Sequence, residues 1–165
     1  MDYLQQIPLT MATALAGAAI GTTTTWTLTT TTPYCIKGKA FSATAGSNGA
    51  TPTTDALTGV AFVGIPVSSG CVFVWCFDGT SATATTAVKV VQGPIVSLDS
   101  SGKFITAPIF PSIPDTLCPF AYMVTKIASN YVTSTTWILG TNNLATLTGA
   151  THTFVDVMTL PSRPQ

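Results

Sequence analysis

Seven consecutive residues, Cys71-Val72-Phe73-Val74-Trp75-Cys76-Phe77, carry no charged, hydroxyl or amide side chain. An extended chain sends successive side chains to opposite faces. A strand built from this segment is therefore apolar on both sides and must lie centrally in a sheet, covered above and below. Whatever the chain folds into has to supply two covers for one strand.

The rest of the sequence supplies them as strands. Thr accounts for 32 of the 165 residues, Glu is absent, and only 7% of residues are charged. Val, Ile, Thr and the aromatics favour a pleated surface. The i,i+4 charge pairs that support helices cannot form without their partners. Pro and Gly (11 and 13 residues) fall mostly between the apolar runs, where they punctuate strands. Strands are predicted over 24–31, 34–41, 58–64, 70–77, 85–91, 94–98, 103–107, 119–127, 133–139 and 151–157. Short strands with frequent turn signals indicate a sandwich or barrel. Phe120, Tyr122, Val124 and Lys126 are expected on one face of their strand, and Ala121, Met123 and Thr125 on the other. Hairpin turns are expected at Leu98–Lys103, where Asp99 bonds its own backbone and Gly102 takes positive φ, and at the Asp78-Gly79 pair. Residues 42–57 and 108–118 read as long loops. In the second, Pro108, Pro111 and Pro114 give a stiff connector.

The predicted fold is all-β, a sandwich over residues 26–165, preceded by an N-terminal segment, residues 1–25. The Ala-rich stretch 11–20 is the only helix candidate. The segment as a whole is an extended arm or packs back on its own domain. Its apolar residues Leu4, Ile7, Leu9, Leu15 and Ile20 fall outside the regular strand pattern and, with Trp26, are the candidate interface residues. The stretch 11–20 is about half the roughly 20 residues that a bilayer requires, so no membrane partner is expected. Residues 1–6 contain Asp2 and no Lys or Arg, which lacks the positive start of an export signal. Synthesis in the cytoplasm is the expectation.

Six basic and six acidic residues cancel. The cations are scattered along the chain, without the basic face that displaces counterions from phosphates, so no nucleic-acid partner is expected. No catalytic constellation emerges, and the chain is not expected to be an enzyme. His152 and Asp156 share a strand face about 13 Å apart, too far for a hydrogen bond. Gly-rich phosphate loops, a nucleophile elbow and a calcium loop are missing, and no cofactor is expected. His152 is expected at a strand edge, satisfied by a backbone carbonyl. Cys71 and Cys76 lie five apart on opposite strand faces and cannot bridge within it. No C-x-x-C pair accompanies them, so Cys35, Cys71, Cys76 and Cys118 read as small buried hydrophobes rather than zinc ligands. Trp26, Trp75 and Trp137 serve the core or an interface, with sugar stacking as the alternative.

The segments TGVAFVG (58–64), QGPIVSL (92–98), CPFAYM (118–123) and FVDVMTLP (154–161) resemble small all-β structural proteins of tailed bacteriophages that decorate or cement the capsid. The resemblance implies a jelly-roll or related sandwich. It further implies a homotrimer seated on the virion surface, with the major capsid protein and copies of itself as partners. Chemistry by burial rather than turnover fits a chain so poor in charge. The alternative is a receptor- or carbohydrate-binding module of a phage fibre, which requires exposed aromatics.

Overall fold

A computed structural model describes residues 9–80, 88–145, 147–161 and 164. Among these residues there is no helix. The strands are β1 (Met11–Ala12), β2 (Ala18–Ile20), β3 (Thr25–Leu28), β4 (Thr32–Ile36), β5 (Lys39–Ala43), β6 (Gly46–Ala50) and β7 (Ile65–Pro66). They continue with β8 (Ser69–Phe77), β9 (Val88–Gln92), β10 (Val96–Ser97), β11 (Cys118–Ile127), β12 (Thr136–Trp137) and β13 (Ala150–Asp156). The fold is all-β and sandwich-like, as the sequence pattern requires.

The doubly apolar segment forms β8, and every residue from Gly70 to Phe77 is buried. It pairs antiparallel with β11 along one edge and with β9 and β10 along the other, and β13 extends the sheet beyond β11. Alternation then divides the strand. Cys71, Phe73, Trp75 and Phe77 enter the larger core, and Val72, Val74 and Cys76 enter a smaller one.

The larger core is covered by short sheets. Trp26 and Leu28 come from β3, Tyr34 from β4, Ile65 from β7 and Trp137 from β12. Rings fill the space: Phe77 and Phe120 stack at 4.0 Å, Tyr34 and Phe77 at 4.7 Å, and Trp26 meets Trp75 at 5.3 Å. The smaller core lies on the opposite face. Its cover is the irregular stretch 106–117, through Phe110, Ile113 and Leu117, together with Val157 and Leu160 near the C-terminus. The Pro-rich connector is thus a lid on a sheet. Prolines suit it, because they lack the N–H groups that a non-ladder cover would leave unpaired.

The sequence pattern errs where local chemistry intervenes. The Ala-rich stretch 11–20 is not a helix. β1 pairs with β4 and β2 with β3, and Gly17 between them has φ +64°. A side chain at Gly17 would run into Thr29 Oγ1, while Gly17 O accepts from Thr29 N and Oγ1. Ala12 and Ala16 are fully buried, so small side chains here allow close approach rather than helix propensity. From Leu9 onward the N-terminal segment therefore lies against the domain and is no free arm.

The single strand expected over 34–41 is a hairpin, because Lys37 (φ 51°) and Gly38 (φ 78°) turn the chain. The loop expected at 42–57 contains β6. Residues 58–64 and 103–107 contribute only isolated bridges at Ala61 and Phe104. The strand expected at 85–91 starts at Val88 in the described residues, with 85–87 outside them.

In β11 the ladder slips between Pro119 and Ala121. This bulge turns Phe120 into the larger core with Ala121 and Met123, away from Tyr122 and Val124, with which it was expected. The turn at Leu98–Lys103 forms as expected: Asp99 Oδ1 accepts from Ser101 N at 2.8 Å and Lys103 N at 3.0 Å, and Gly102 has φ 76°. These donors, with the Lys103 amide first, hold the Asp99 carboxyl below its ordinary range. At the second turn Asp78 Oδ1 accepts from Thr80 N, but the connection to β9 runs on to Val88 instead of closing after two residues.

A candidate docking groove

Beside β9, outside both cores, the chain builds an apolar groove of about 490 Å³. Its walls are the loop 55–63, residues 92–95 and residues 111–112. Leu57, Val60 and Val63 stand 53%, 62% and 64% exposed, and Ile95 adds a partly exposed side chain. Single hydrophobics scattered on a surface need no explanation, but here four of them line one groove.

The groove is held open by polar groups turned inward. Asp55 is buried, and its carboxylate is consumed by three backbone amides. Oδ1 accepts from Leu57 N at 2.7 Å and Thr58 N at 3.0 Å, and Oδ2 accepts from Gln92 N at 2.7 Å. Asp55 N donates to Val60 O, and Gly59, at φ +73°, donates back to Asp55 O, so the loop closes on itself. Ala56 N donates to Val90 O and ties the loop to β9.

Gln92 stitches the other wall. Its Oε1 accepts from Val63 N and its Nε2 donates to Val63 O, both at 2.8 Å, so the side-chain amide replaces a neighbouring strand. Gly93 N donates to Val72 O at 2.7 Å. A Cβ on Gly93 would come within 2.9 Å of Val72 O and 3.1 Å of Ile109 O. Only glycine lets stretch 109–111 lie this close.

The polar groups of the walls are thereby spent on one another, and aliphatic surface faces outward. Among the described lining residues, Asp55 alone is ionisable. An occupant finds Val60 O and both backbone groups of Val63 already bonded within the chain. It gains by burial, at roughly 25 cal/mol per Å² of apolar area.

The candidate interface residues of the sequence are not brought together there. Leu4 and Ile7 lie outside the described residues. Leu9 and Leu15 are more than half exposed, whereas Ile20 is partly buried against the larger core. Trp26 is 1% exposed and packs on Trp75 and Phe120, so it cannot serve an interface. Trp75 and Trp137 are fully buried as well, which leaves no tryptophan face for a sugar. Eight of the twelve described groove residues lie in two of the segments that carry the phage resemblance, 58–64 and 92–98. The apolar run between Gly59 and Gly64 suggests the strand expected over 58–64, but it is too short and glycine-bound to join a sheet.

His152 belongs to the core's margin. Its Nδ1 and Thr125 Oγ1 are 3.1 Å apart, and its ring lies 4.5 Å from that of Trp137. The partner is a buried hydroxyl and not the expected backbone carbonyl, because register sets His152 opposite Thr125 on β11. Burial lowers its pKa to about 4. Asp156 is occupied elsewhere, accepting from Ala18 N at 2.8 Å.

The four cysteines are free thiols, and Cys71 and Cys76 face different cores as their spacing requires. Burial pushes the Cys71 and Cys118 thiols up to about 12. Among the described residues no three His, Cys, Asp or Glu side chains gather to hold a metal ion, and no helix is long and apolar enough to cross a membrane. Comparison with known proteins finds no matching family model, no similar curated protein and no similar solved structure.

Proposed function

We propose that the chain is a structural subunit of a virion-type shell, binding the outer surface of a capsid and cementing its neighbours by apolar contact. The observation that carries this reading is the groove wall at Val60 and Val63. Both valines are exposed, yet their backbone is fixed by Asp55 and Gln92. A fixed apolar surface loses little conformational freedom on docking, so more of its burial appears as affinity. Charge poverty supports the same reading, because an uncharged contact desolvates no ions. The segments that resemble capsid-decorating proteins name the class of partner, the major capsid protein. A subunit that binds only the assembled shell stabilises it by mass action.

The test is co-sedimentation of the full chain with assembled shells across a salt series. The wild type should bind with little change between low and moderate salt, since few charges are present to screen. Val60→Lys should weaken binding by tenfold or more while leaving the melting temperature near that of the wild type. Binding that collapses with modest salt, or that ignores the Val60 change, counts against the reading.

A further inference from the structure

We infer that the fold carries a flap opened by acid: protonation of His152 lifts the Trp137 segment, residues 136–144, off the larger core while the central sheet stays closed. The inference uses none of the groove residues and is independent of the docking reading.

His152 sits where two unequal elements meet. On one side β11 brings the Thr125 hydroxyl, with Oγ1 3.1 Å from Nδ1. On the other, the Trp137 ring of β12 lies 4.5 Å away. Among the described residues Nε2 is buried and has no hydrogen-bond partner. A neutral imidazole tolerates this arrangement, with one nitrogen bonded and the other enclosed. An imidazolium does not. Both of its nitrogens donate, and Thr125 Oγ1 receives only one of them. The Trp137 face attracts a cation, but it does not replace the water lost from the second N–H. Burial accordingly holds the His152 pKa at about 4.

Neighbouring charges do not decide the matter. The titratable side chains of the larger core are Cys71, Cys118, Tyr34 and Tyr131, thiols and phenols that are neutral in acid. Residues 136–144 contain no ionisable side chain. Asp156 on β13 itself stands about 13 Å along the strand and accepts from Ala18 N. Lys126, beside Thr125, sets its Nζ over the Phe104 ring.

The two elements differ in what holds them. β11 is paired along both edges, with β8 and with β13 from Ala150 to Asp156. β12 is two residues long, and one of its two partners on β7 is Pro66, which has no N–H to give. Beyond β12 the segment bonds largely to itself: Ile138 N donates to Asn142 Oδ1, and Trp137 Nε1 to Asn143 O. Leu144 N, donating to Thr23 O at 2.8 Å, ties its far end to the β2–β3 turn. Short elements with few bonds to the rest of a domain are the ones that open locally. Lifting this one brings water to Nε2 and leaves the long ladders intact. It also brings Trp137, Leu139 and Leu144, all buried in the closed fold, to the surface.

The test is amide hydrogen exchange on the full chain at pH 7 and pH 4, corrected for intrinsic rates. Solvation returns His152 from about 4 to about 6.5, so an opening that frees it becomes about a hundredfold easier at pH 4. The Ile138, Asn142 and Leu144 amides should quicken by about that factor, and at pH 4 should exchange well ahead of Phe73 and Val124 in the central sheet. His152→Asn, with its fold confirmed by circular dichroism, should abolish the rise. Exchange of the segment in step with Phe73 and Val124 would mean that only the whole fold opens, and overturns the inference. So does acceleration confined to β13, which would mean that the histidine leaves with its own strand, or a rise that survives His152→Asn. Should the variant not fold, the wild-type comparison of segment with sheet still decides.

Discussion

The two faces of the central sheet are built from alternate residues of one strand, yet they are closed by different means. The Phe73–Trp75–Phe77 face is roofed by regular strands that bring rings of their own, Trp26, Tyr34 and Trp137. The Val72–Val74–Cys76 face is roofed by a proline-rich stretch without a ladder. A ladder fixes its residues by hydrogen bonds as well as packing. An irregular roof is fixed by packing, by prolines and by single anchors such as the 2.9 Å Lys37–Asp115 ion pair. Rings on the first face have one place to sit, and the second face tolerates adjustment. The groove arises at the rim of the second roof, where exposed aliphatics disturb the first core least.

The contrast is sharpest in the cores themselves. Trp75→Ala should destabilise the fold by about 4 kcal/mol, since a large ring is lost among rings held by ladders. Leu117→Ala on the other face should cost about 2 kcal/mol, the low end for such a truncation, because the irregular roof can settle into the space. Urea unfolding of both variants measures the difference, and equal losses would erase the distinction between the two roofs.

Acid should act on the first face. His152 titrates at about 4 in the fold against about 6.5 when unfolded, so the unfolded chain binds the extra proton between those values. Its contribution is fully present above pH 6.5 and is lost as the pH falls to 4, about 3 kcal/mol in all. Urea midpoints at pH 7, 5.5 and 4 should fall for the wild type and fall less for His152→Asn, which keeps a polar partner for Thr125. Parallel decline in the two proteins would place the acid sensitivity elsewhere.

The smallest effect belongs to the second roof. Gly93→Ala sets a methyl against Val72 O and Ile109 O, and should cost about 1 kcal/mol as stretch 109–111 lifts away. Amide exchange should then quicken for residues 109–113 more than for β8. A uniform rise would show that the roof and the sheet open together.

The sequence was most readable where one physical requirement dominated. An uninterrupted apolar run left β8 no place but the centre, and Asp99 with Gly102 specified their turn. It was least readable where a single residue changed the phase or the approach of the chain. Lys37 enters a turn at positive φ against its own preference, and the polar run Gly46-Ser-Asn-Gly-Ala forms β6 because β3 offers it a ladder. Alanines at 12 and 16 signal closeness rather than helix. Of the interface candidates, Leu9 and Leu15 are exposed as an interface requires, but apolarity could not distinguish them from Trp26, whose ring lies within the larger core. The groove is not legible in the sequence because its makers, Asp55 and Gln92, look like ordinary loop and strand-end residues. Their role depends on side-chain bonds across 37 and 29 positions of sequence.

The extra residue in β11 also decides where this chain can change length. Pro119 lies opposite Cys76, and Ala121 opposite Trp75, with Phe120 counted by neither. Excising Phe120 alone would join two stretches already in step, at the loss of one ring and of the carbonyl that accepts from Val157 N. Removing any one residue from Met123–Ile127 would instead turn the remainder of the strand inside out.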